Sequence, residues 1–348
     1  MKNWIKQSIQ KIEADYNRSA DTHLLKIDIP KIPCIHLYIK DESTHPTGSL
    51  KHRLARSLFL YALCNGKIKE DTTIIEASSG STAVSEAYFA QMIGVPFIAV
   101  LPKSTAKSKI NKIKFYGGKC HFVDSAPQMH DEATNLAIEI DGYFMDQFTY
   151  AERATDWRGN NNIAESIYHQ MEKEPYKIPS AIVMSAGTGG TSATLGRYII
   201  YKGFETKLLV VDPENSVFFE SFQSGNRTLV NNKSSRIEGI GRPKVEHSFQ
   251  PDVIDQMMQV PDAASVATIL WLEKLIGKKA GASTGTNIWG ALCLAEEMEA
   301  NNQQGSIVTL MCDSGERYLD SYYDETWVNE NIGDIKPYTD KLNYWFTE

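Results

Sequence analysis

The residue with the clearest chemical potential is Lys51, which lies in the run Thr47-Gly48-Ser49-Leu50-Lys51-His52-Arg53. This run places an amine one or two residues past a Pro-Thr-Gly-Ser turn, where an apolar helix is predicted to begin. A lysine in a dry, cationic setting has a lowered pKa and can act as a nucleophile and then as a base. His52 and Arg53 could supply part of that field, or they are solvated and Lys51 is an ordinary lysine at a helix end.

A second segment, Ala186-Gly187-Thr188-Gly189-Gly190-Thr191, is a glycine-rich turn between a predicted strand and a predicted helix. Backbone N–H groups and the positive end of the helix favour a phosphate there, and glycine lets the backbone approach it. The hydroxyls of Thr188 and Thr191 could bind phosphate oxygens. The alternative is a tight turn that only caps the helix. Together, an amine and a phosphate cradle are what a protein needs to hold pyridoxal 5'-phosphate by both ends.

The same glycine-rich turn partly resembles a dinucleotide-binding G-x-G-x-x-G segment, although the third glycine is not at its usual place. Asp212 ends the next predicted strand, where a ribose-binding acid would be expected. A nicotinamide-dependent dehydrogenase is therefore a distant alternative. Nothing else in the chain requires a hydride donor, so pyridoxal phosphate is the preferred cofactor.

Two further loops carry polar groups. Ser78-Ser79-Gly80-Ser81-Thr82 joins a predicted strand to a helix, and its hydroxyls and backbone donors suit a substrate carboxylate or form a plain helix cap. Cys312-Asp313-Ser314-Gly315-Glu316-Arg317-Tyr318 follows a late predicted strand. A serine hydroxyl against the pyridine nitrogen of the cofactor would be a neutral partner that leaves this nitrogen largely unprotonated.

Composition excludes several classes of protein. The chain has 348 residues, of which 42% are hydrophobic and 23% charged, as in globular proteins. Its net charge of -7, without a long Lys/Arg run, argues against nucleic acid and anionic membranes as partners. The five scattered cysteines suit reduced thiols in a cytoplasm and contain no zinc spacing, so no metal site is expected. The first residues contain no apolar signal segment.

The order of predicted elements places these loops in an α/β protein with mainly parallel sheets. Strands are predicted at 34–40, 73–77, 96–101, 119–123, 180–185, 207–211 and 306–311. Helices are predicted at 1–16, 54–64, 83–93, 106–115, 127–140, 163–172, 191–202, 263–276 and 287–300. The length favours two lobes, and no linker separates them.

The motifs and their order resemble those of the cysteine synthase and cystathionine β-synthase family. Lys40 to Arg53 looks like its K-x-E-x-x-x-P-T-G-S-x-K-x-R segment, and the agreement extends from about residue 10 to about residue 325. Further family segments are similar to Ser-Ser-Gly-Ser-Thr, Asp146-Gln147-Phe148, Gly-Thr-Gly-Gly-Thr, Glu238-Gly239-Ile240-Gly241 and Asp-Ser-Gly-Glu-Arg-Tyr. The runs at 19–25, 151–162 and 234–239 are similar to a bacterial L-cysteine desulfhydrase subgroup.

The resemblance implies the fold of fold type II pyridoxal-phosphate enzymes, with a large cofactor-binding domain (1–44 and 151–348) and a small, mobile domain (45–150) that closes over the substrate. It implies that Lys51 is the Schiff-base lysine and that the cofactor is bound by Ser81, Ser314 and the loop from Gly187 to Thr191. The substrate residues that it implies are Ser78, Ser79, Gly80, Thr82, Gln147 and Gly239.

The activity implied is β-elimination on L-cysteine, which gives hydrogen sulfide, pyruvate and ammonia. Cysteine synthesis from O-acetylserine and sulfide is the alternative. Two departures from the synthases bear on this choice: Ser81 stands where they have asparagine, and their N-P-x-x-H stretch is replaced by Ala151 to Trp157. Asp156, Trp157 and Arg158 either reshape the mouth of the pocket or form a surface cap at a helix start. Family members are commonly homodimers, so a homodimer is expected.

Overall fold

The structure is a computed structural model in which residues 2–19 and 21–347 are described. The chain forms two compact units. Unit 1 comprises residues 1–21 and 45–155, and unit 2 comprises residues 22–44 and 156–348. The sequence analysis assigns residues 1–44 to the larger lobe, whereas residues 1–21 belong here to the smaller unit.

Helices and strands alternate along the chain. In order, they are α1 (Lys2–Asn17), β1 (His23–Ile27), β2 (Ile35–Asp41), α2 (Lys51–Cys64), β3 (Ile74–Ala77), α3 (Ser81–Ile93), β4 (Phe97–Pro102), α4 (Lys107–Phe115), β5 (Lys119–Val123), α5 (Met129–Glu139), β6 (Tyr143–Phe144) and α6 (Gln147–Ala154). There follow α7 (Ile163–Met171), β7 (Ala181–Ser185), α8 (Gly190–Lys202), β8 (Lys207–Pro213), α9 (Phe218–Ser224), β9 (Gln256–Val260), α10 (Asp262–Ile276), α11 (Ala282–Ala300), β10 (Gly305–Met311), α12 (Glu325–Asn331) and α13 (Lys336–Phe346).

Unit 1 contains a parallel sheet with the strand order β5-β4-β3-β6. The central strands β3 and β4 are almost entirely buried, which explains why their sequences are mainly apolar. Phe59, Phe89 and Phe97 are among the side chains of the apolar core. The helix α1 belongs to the same core through Ile12, which is fully buried.

Unit 2 contains a sheet with the strand order β1-β2-β10-β7-β8-β9. All neighbouring strands run parallel except β1, which pairs antiparallel with β2. The fully buried strands β7 and β10 lie in the middle, and α10 and α11 contribute to the core beside them. The predicted α/β class with mainly parallel sheets is therefore confirmed.

The structure contains elements that the sequence analysis did not predict: β1, β6, α6, α9, β9, α12 and α13. The strand β9 lies at an edge of its sheet, where its Gln and Met residues are partly exposed and carry little strand signal. Helix α11 begins at Ala282, five residues before its predicted start. Its first turns contain Ser, Thr and Gly, which are typical of loops in a sequence.

Within the described residues, no helix is both long enough and apolar enough to span a lipid bilayer.

Candidate active site

Lys51 is the first residue of α2, and the turn before it sets its position. Gly48 has φ 73°, in the left-handed region that favours glycine, and its N–H donates to the carbonyl oxygen of His45 at 2.7 Å. The Lys51 side chain is half-buried. The positive end of a helix dipole disfavours further positive charge, which suits an amine that must react in its neutral form.

The side chains around this turn bind it to α3. The hydroxyl of Thr47 lies 2.8 Å from the Ser85 hydroxyl and 3.2 Å from Nδ1 of His52. His52 is buried, stacks on His45 and contacts the ring of Phe89. The start of α2 is thus fixed against the middle of α3.

The positive charge of Arg53 is paired, because its guanidinium forms an ion pair with Asp21 at 2.6 Å. The two side chains are 12% and 20% exposed, so this pair is shielded from solvent. His52 is enclosed rather than solvated. The possibility that both side chains are solvated is therefore wrong.

The loop from Ser78 to Thr82 connects the carboxyl end of β3 to the amino end of α3. The Thr82 hydroxyl donates to Oε1 of Gln147 at 2.7 Å, and the Ser78 hydroxyl accepts from the N–H of Gly80 at 3.2 Å. Gln147 begins α6, which follows the neighbouring strand β6. The structure thus brings the predicted substrate residues of unit 1 together at one edge of a parallel sheet, beside a helix start that favours anions.

The predicted phosphate loop follows β7 and opens α8. Gly189 has φ 88°, and the Thr188 hydroxyl accepts from the N–H of Gly190 at 3.3 Å. A Cβ atom at Gly189 would lie 2.6 Å from the Ser248 carbonyl oxygen and from Cα of Phe249. Only glycine fits this position. The first N–H groups of a helix have no partner within the helix, so those at the start of α8 are available to a group that binds in the loop.

Gly239, a predicted substrate residue, lies against the same loop. A Cβ atom at Gly187 would collide with the Gly239 carbonyl oxygen, and the N–H of Gly241 donates to the carbonyl oxygen of Ala186 at 2.9 Å. Gly239 itself has φ 88° and is exposed. The segment that contains Gly239 and Gly241 therefore supports the predicted phosphate loop through backbone contacts.

Ser314 follows β10, the strand that pairs with β7 in parallel. Because the carboxyl ends of parallel neighbours meet at one edge of the sheet, Ser314 and the phosphate loop lie at the same edge of unit 2. The Ser314 hydroxyl accepts from the N–H of Glu316 at 3.4 Å, and Asp313 beside it accepts from the Tyr318 hydroxyl at 2.7 Å. The Asp313 carboxylate is thus occupied by a hydrogen bond from Tyr318.

Asp212, the residue on which the dinucleotide alternative depends, is fully buried. Its Oδ2 accepts from the N–H of Phe219 at 2.9 Å at the start of α9. Burial raises the pKa of this carboxyl to about 7. Asp212 is enclosed, its Oδ2 supports the first turn of α9, and its carboxyl is not exposed to a ribose.

The segment that replaces the synthases' N-P-x-x-H stretch spans the end of α6 and the turn before α7. Asp156 and Arg158 are exposed, and Oδ1 of Asp156 accepts from the N–H of Arg158 at 3.2 Å. Trp157 contacts the ring of Tyr201, and Asn162 caps α7 by accepting from Glu165. This arrangement matches the alternative of a surface cap at a helix start.

Sequence reasoning missed two glutamates of unit 1. Glu76 lies on β3 and Glu86 on α3, and both are fully buried. Oε2 of Glu76 accepts from the N–H of Gln147 at 3.2 Å, directly behind the predicted substrate residues. An acidic residue inside each of two otherwise apolar or small-residue runs, Ile74-Ile75-Glu76-Ala77 and Ala83-Val84-Ser85-Glu86-Ala87, was the available signal.

The fold and the two glycine-lined loops define a class of enzyme. The model of the family described as pyridoxal-phosphate dependent enzyme matches residues 19–313. The chain belongs to this family, and its fold is that of the fold type II enzymes. The prediction of pyridoxal phosphate as cofactor is confirmed, and the nicotinamide alternative is excluded.

Individual relatives narrow the class. The chain is 58% identical, over 94% of its length and 90% of the relative's, to L-cysteine desulfhydrase Cds1 of Mycobacterium tuberculosis. It is 29% identical to cysteine synthase B of Campylobacter jejuni, over 82% of this chain and 90% of the relative. A solved structure of a hydrogen sulfide-producing enzyme is similar with a TM-score of 0.77 and 26% identity, over 90% of this chain and 91% of the other.

Proposed function

We propose that this protein is an L-cysteine desulfhydrase that converts L-cysteine and water into hydrogen sulfide, pyruvate and ammonia. The observation that carries this proposal is the similarity to the mycobacterial desulfhydrase along nearly the whole chain. The similarity to a hydrogen sulfide-producing enzyme of known structure supports it.

The residues present fit the cofactor that the family uses. The loop from Gly187 to Thr191 has no room for side chains at Gly187 and Gly189, and it ends at the start of a helix. Such a backbone cradle suits a phosphate group. Lys51 provides the amine, and the Ser314 hydroxyl provides a neutral hydrogen-bonding group for the ring nitrogen. Ser81, in the first turn of α3, is proposed as a further cofactor contact.

The chain's own residues then have defined tasks. Bound pyridoxal phosphate supplies an aldehyde that condenses with amines and a ring that withdraws electrons from the substrate Cα. The amino end of α3, with Ser78, Ser79, Gly80, Thr82 and Gln147, holds the substrate carboxylate. Gly239 lines the site beside the phosphate loop. Nζ of Lys51 would hold the cofactor and, when free, would take the proton from the substrate Cα.

Cysteine synthesis is the second candidate, because the chain is also similar to cysteine synthase B. Both reactions require removal of the Cα proton and loss of a group from the substrate Cβ, so the same residues serve them. Elimination requires water to reach the product of that step, whereas synthesis requires sulfide to reach it and water to be excluded.

A direct comparison of products tests the assignment. Purified, cofactor-loaded protein is given L-cysteine, and the release of pyruvate and sulfide is measured beside the formation of cysteine from O-acetylserine and sulfide. We expect rapid pyruvate and sulfide release and poor synthesis. Strong synthesis with slow pyruvate formation would show a cysteine synthase instead.

The role of Lys51 is tested by Lys51→Ala. We expect the variant to purify without the yellow absorption of the lysine-bound cofactor. We also expect elimination activity to fall by several orders of magnitude, because the variant lacks the amine proposed to hold the cofactor and to take the Cα proton. Absorption spectra and pyruvate assays measure both effects. Lys69→Ala, an exposed lysine of the same unit, is the matched control. Full turnover by Lys51→Ala would refute the assignment.

We further propose that the protein is a homodimer in the cytoplasm. Twofold dimers are the most common assemblies of soluble enzymes. The five cysteines are free thiols in the structure, as is usual in a reducing compartment. Sedimentation equilibrium should give twice the chain mass of 39.0 kDa. A mass equal to that of one chain would contradict the dimer.

A further inference from the structure

One segment of unit 2, residues 241–249, touches the proposed phosphate loop at both of its ends. At its start, the N–H of Gly241 donates to the carbonyl oxygen of Ala186 at 2.9 Å. At its end, a Cβ atom at Gly189 would lie only 2.6 Å from the Ser248 carbonyl oxygen, so the two backbones are in direct contact. The 241–249 segment therefore meets the loop at two separate places.

An ion pair connects the two ends of this segment. Nε of Arg242, the residue after Gly241, donates to Oε1 of Glu246 at 2.7 Å. The Glu246 side chain is 3% exposed and that of Arg242 is 31% exposed, so the pair is largely shielded from solvent and salt. The backbone carbonyl oxygen of Glu246 accepts from the N–H of Phe249 at 3.1 Å. The pair thus links the residue beside Gly241 to the turn that ends at Phe249.

Other contacts attach the segment to the region around α9. The N–H of Arg242 donates to the Ser216 hydroxyl at 3.1 Å, and its carbonyl oxygen accepts from the N–H of Val217 at 2.9 Å. The ring of Phe249 stacks on that of Phe218 with ring centroids 4.2 Å apart, and both side chains are fully buried. Loss of the ion pair therefore changes how the segment is held without removing its attachment to the unit.

We propose that Arg242 and Glu246 are positioning residues, whose ion pair holds the phosphate loop in the shape that binds the cofactor's phosphate. At Gly189 the loop packs on backbone atoms of the 241–249 segment rather than on a flexible side chain. A shift of that segment must therefore shift the loop as well. Because N–H groups bind a phosphate only when they point to it, such a shift weakens binding. This inference rests on the proposed role of the loop as a phosphate cradle.

The pair acts through position and not through the charge of Arg242. A guanidinium near a phosphate attracts it, but the Glu246 carboxylate is hydrogen-bonded to this guanidinium and offsets its charge. The two explanations predict opposite effects for Glu246→Ala. Removal of the carboxylate leaves the positive charge of Arg242, which would tighten phosphate binding if charge were decisive. If position is decisive, the same change weakens binding.

The test compares the binding of pyridoxal phosphate with that of pyridoxal, which lacks the phosphate. The full-length protein, freed of cofactor, is titrated with each compound, and the yellow absorption of the lysine-bound compound gives the two dissociation constants. Their ratio isolates the contribution of the phosphate site. The variants are Glu246→Ala, Arg242→Met and the double variant. Lys207→Gln is the matched control, because it breaks an ion pair with Asp255 at the amino end of β8 in the same unit.

We expect the dissociation constant of pyridoxal phosphate to rise by about tenfold in Glu246→Ala and in Arg242→Met, and that of pyridoxal to change by less than about twofold. The double variant should lose no more affinity than either single variant, because each change alone already breaks the pair. Arg242→Met leaves a buried carboxylate without its partner, which destabilises the fold. Glu246→Ala and the double variant avoid this cost, so the comparison does not depend on Arg242→Met.

Three results would overturn the proposal: equal affinity for pyridoxal phosphate in wild type and Glu246→Ala, tighter binding by Glu246→Ala, or losses that add in the double variant. A purely structural pair would lower thermal stability and leave the ratio of the two constants unchanged, which would contradict the proposal as well. Failure of the proposed function is distinguishable. Wild type that binds both compounds equally well would contradict the phosphate loop itself, and an unchanged spectrum of Lys51→Ala would contradict the lysine.

Discussion

At the scale of single residues, Gly187 has the most restricted environment in the proposed phosphate loop. Its Cα faces the backbone of Gly239, and this neighbour is a carbonyl group rather than a flexible side chain. A methyl group at this position cannot be accommodated unless one of the two backbone segments moves. The close approach of these two segments explains the glycine at position 187, whereas the glycine at position 239 is explained by its φ of 88°, in the left-handed region that favours glycine.

The first prediction concerns Gly187→Ala. Movement of the loop should misplace the N–H groups that bind phosphate, and we expect the cofactor dissociation constant to rise by at least about tenfold, equivalent to about 1.4 kcal/mol. Absorbance titration of the cofactor-free protein with pyridoxal phosphate measures it. Gly159→Ala, where a Cβ atom has only an ordinary contact at 3.8 Å, is the control. Equal affinities for wild type and Gly187→Ala would contradict this account of the loop.

At the scale of elements, the carboxyl-terminal helix α13 is a packed part of unit 2. Trp345 is 0% exposed and contacts the ring of Trp289 on α11, and its carbonyl oxygen accepts from the N–H of Lys31 at 3.2 Å. The neighbouring Tyr344 is 58% exposed. The helix therefore presents one buried face to the core and one face to solvent.

The second prediction uses this difference. Trp345→Ala should lower the free energy of unfolding by about 3–5 kcal/mol, because it leaves a cavity in the core. Tyr344→Ala, its neighbour on the same helix, should change that free energy by no more than about 0.5 kcal/mol. Urea denaturation followed by fluorescence measures both. Similar losses for the two variants would show that α13 does not anchor unit 2 in the way described.

At the scale of the whole molecule, buried carboxyls make stability depend on pH. Burial raises the pKa of Asp212 from 3.8 to about 7, so the folded protein holds a proton that the unfolded chain releases. The stabilisation from this proton is fully present below pH 3.8 and is lost as the pH rises to about 7. Above that range the contribution of Asp212 is constant.

The third prediction is that Asp212→Asn removes this contribution. An amide is uncharged at every pH and keeps an oxygen for the N–H of Phe219. The stability of the variant relative to wild type should rise between about pH 4 and pH 7, by about 1.4 kcal/mol per pH unit. Urea denaturation at a series of pH values measures it, with the exposed Asp71→Asn as control. A relative stability that is independent of pH would contradict a raised pKa.

The roles of the two units in the reaction also belong to this scale. The expectation that the smaller unit is mobile and closes over the substrate stays a prediction, as does the large unit's role in binding most of the cofactor.

The sequence by itself determined the α/β class, the central strands and the two loops at their carboxyl ends. Buried parallel strands need continuous apolar runs, and backbone cradles need glycine, so both are recorded locally in residue types. Lys51 was identifiable for the same reason, because its turn and its helix are adjacent to it in the chain.

Only the tertiary structure decided which polar residues are enclosed. Glu76 and Glu86 are charged residue types in the sequence, and only the folded structure shows that both side chains are fully buried. The early start of α11 also depends on a distant contact, since Gly285 lies directly against the Ser265 carbonyl oxygen on α10. Burial and close packing depend on segments that are far apart in the chain, and for this reason local sequence patterns cannot specify them.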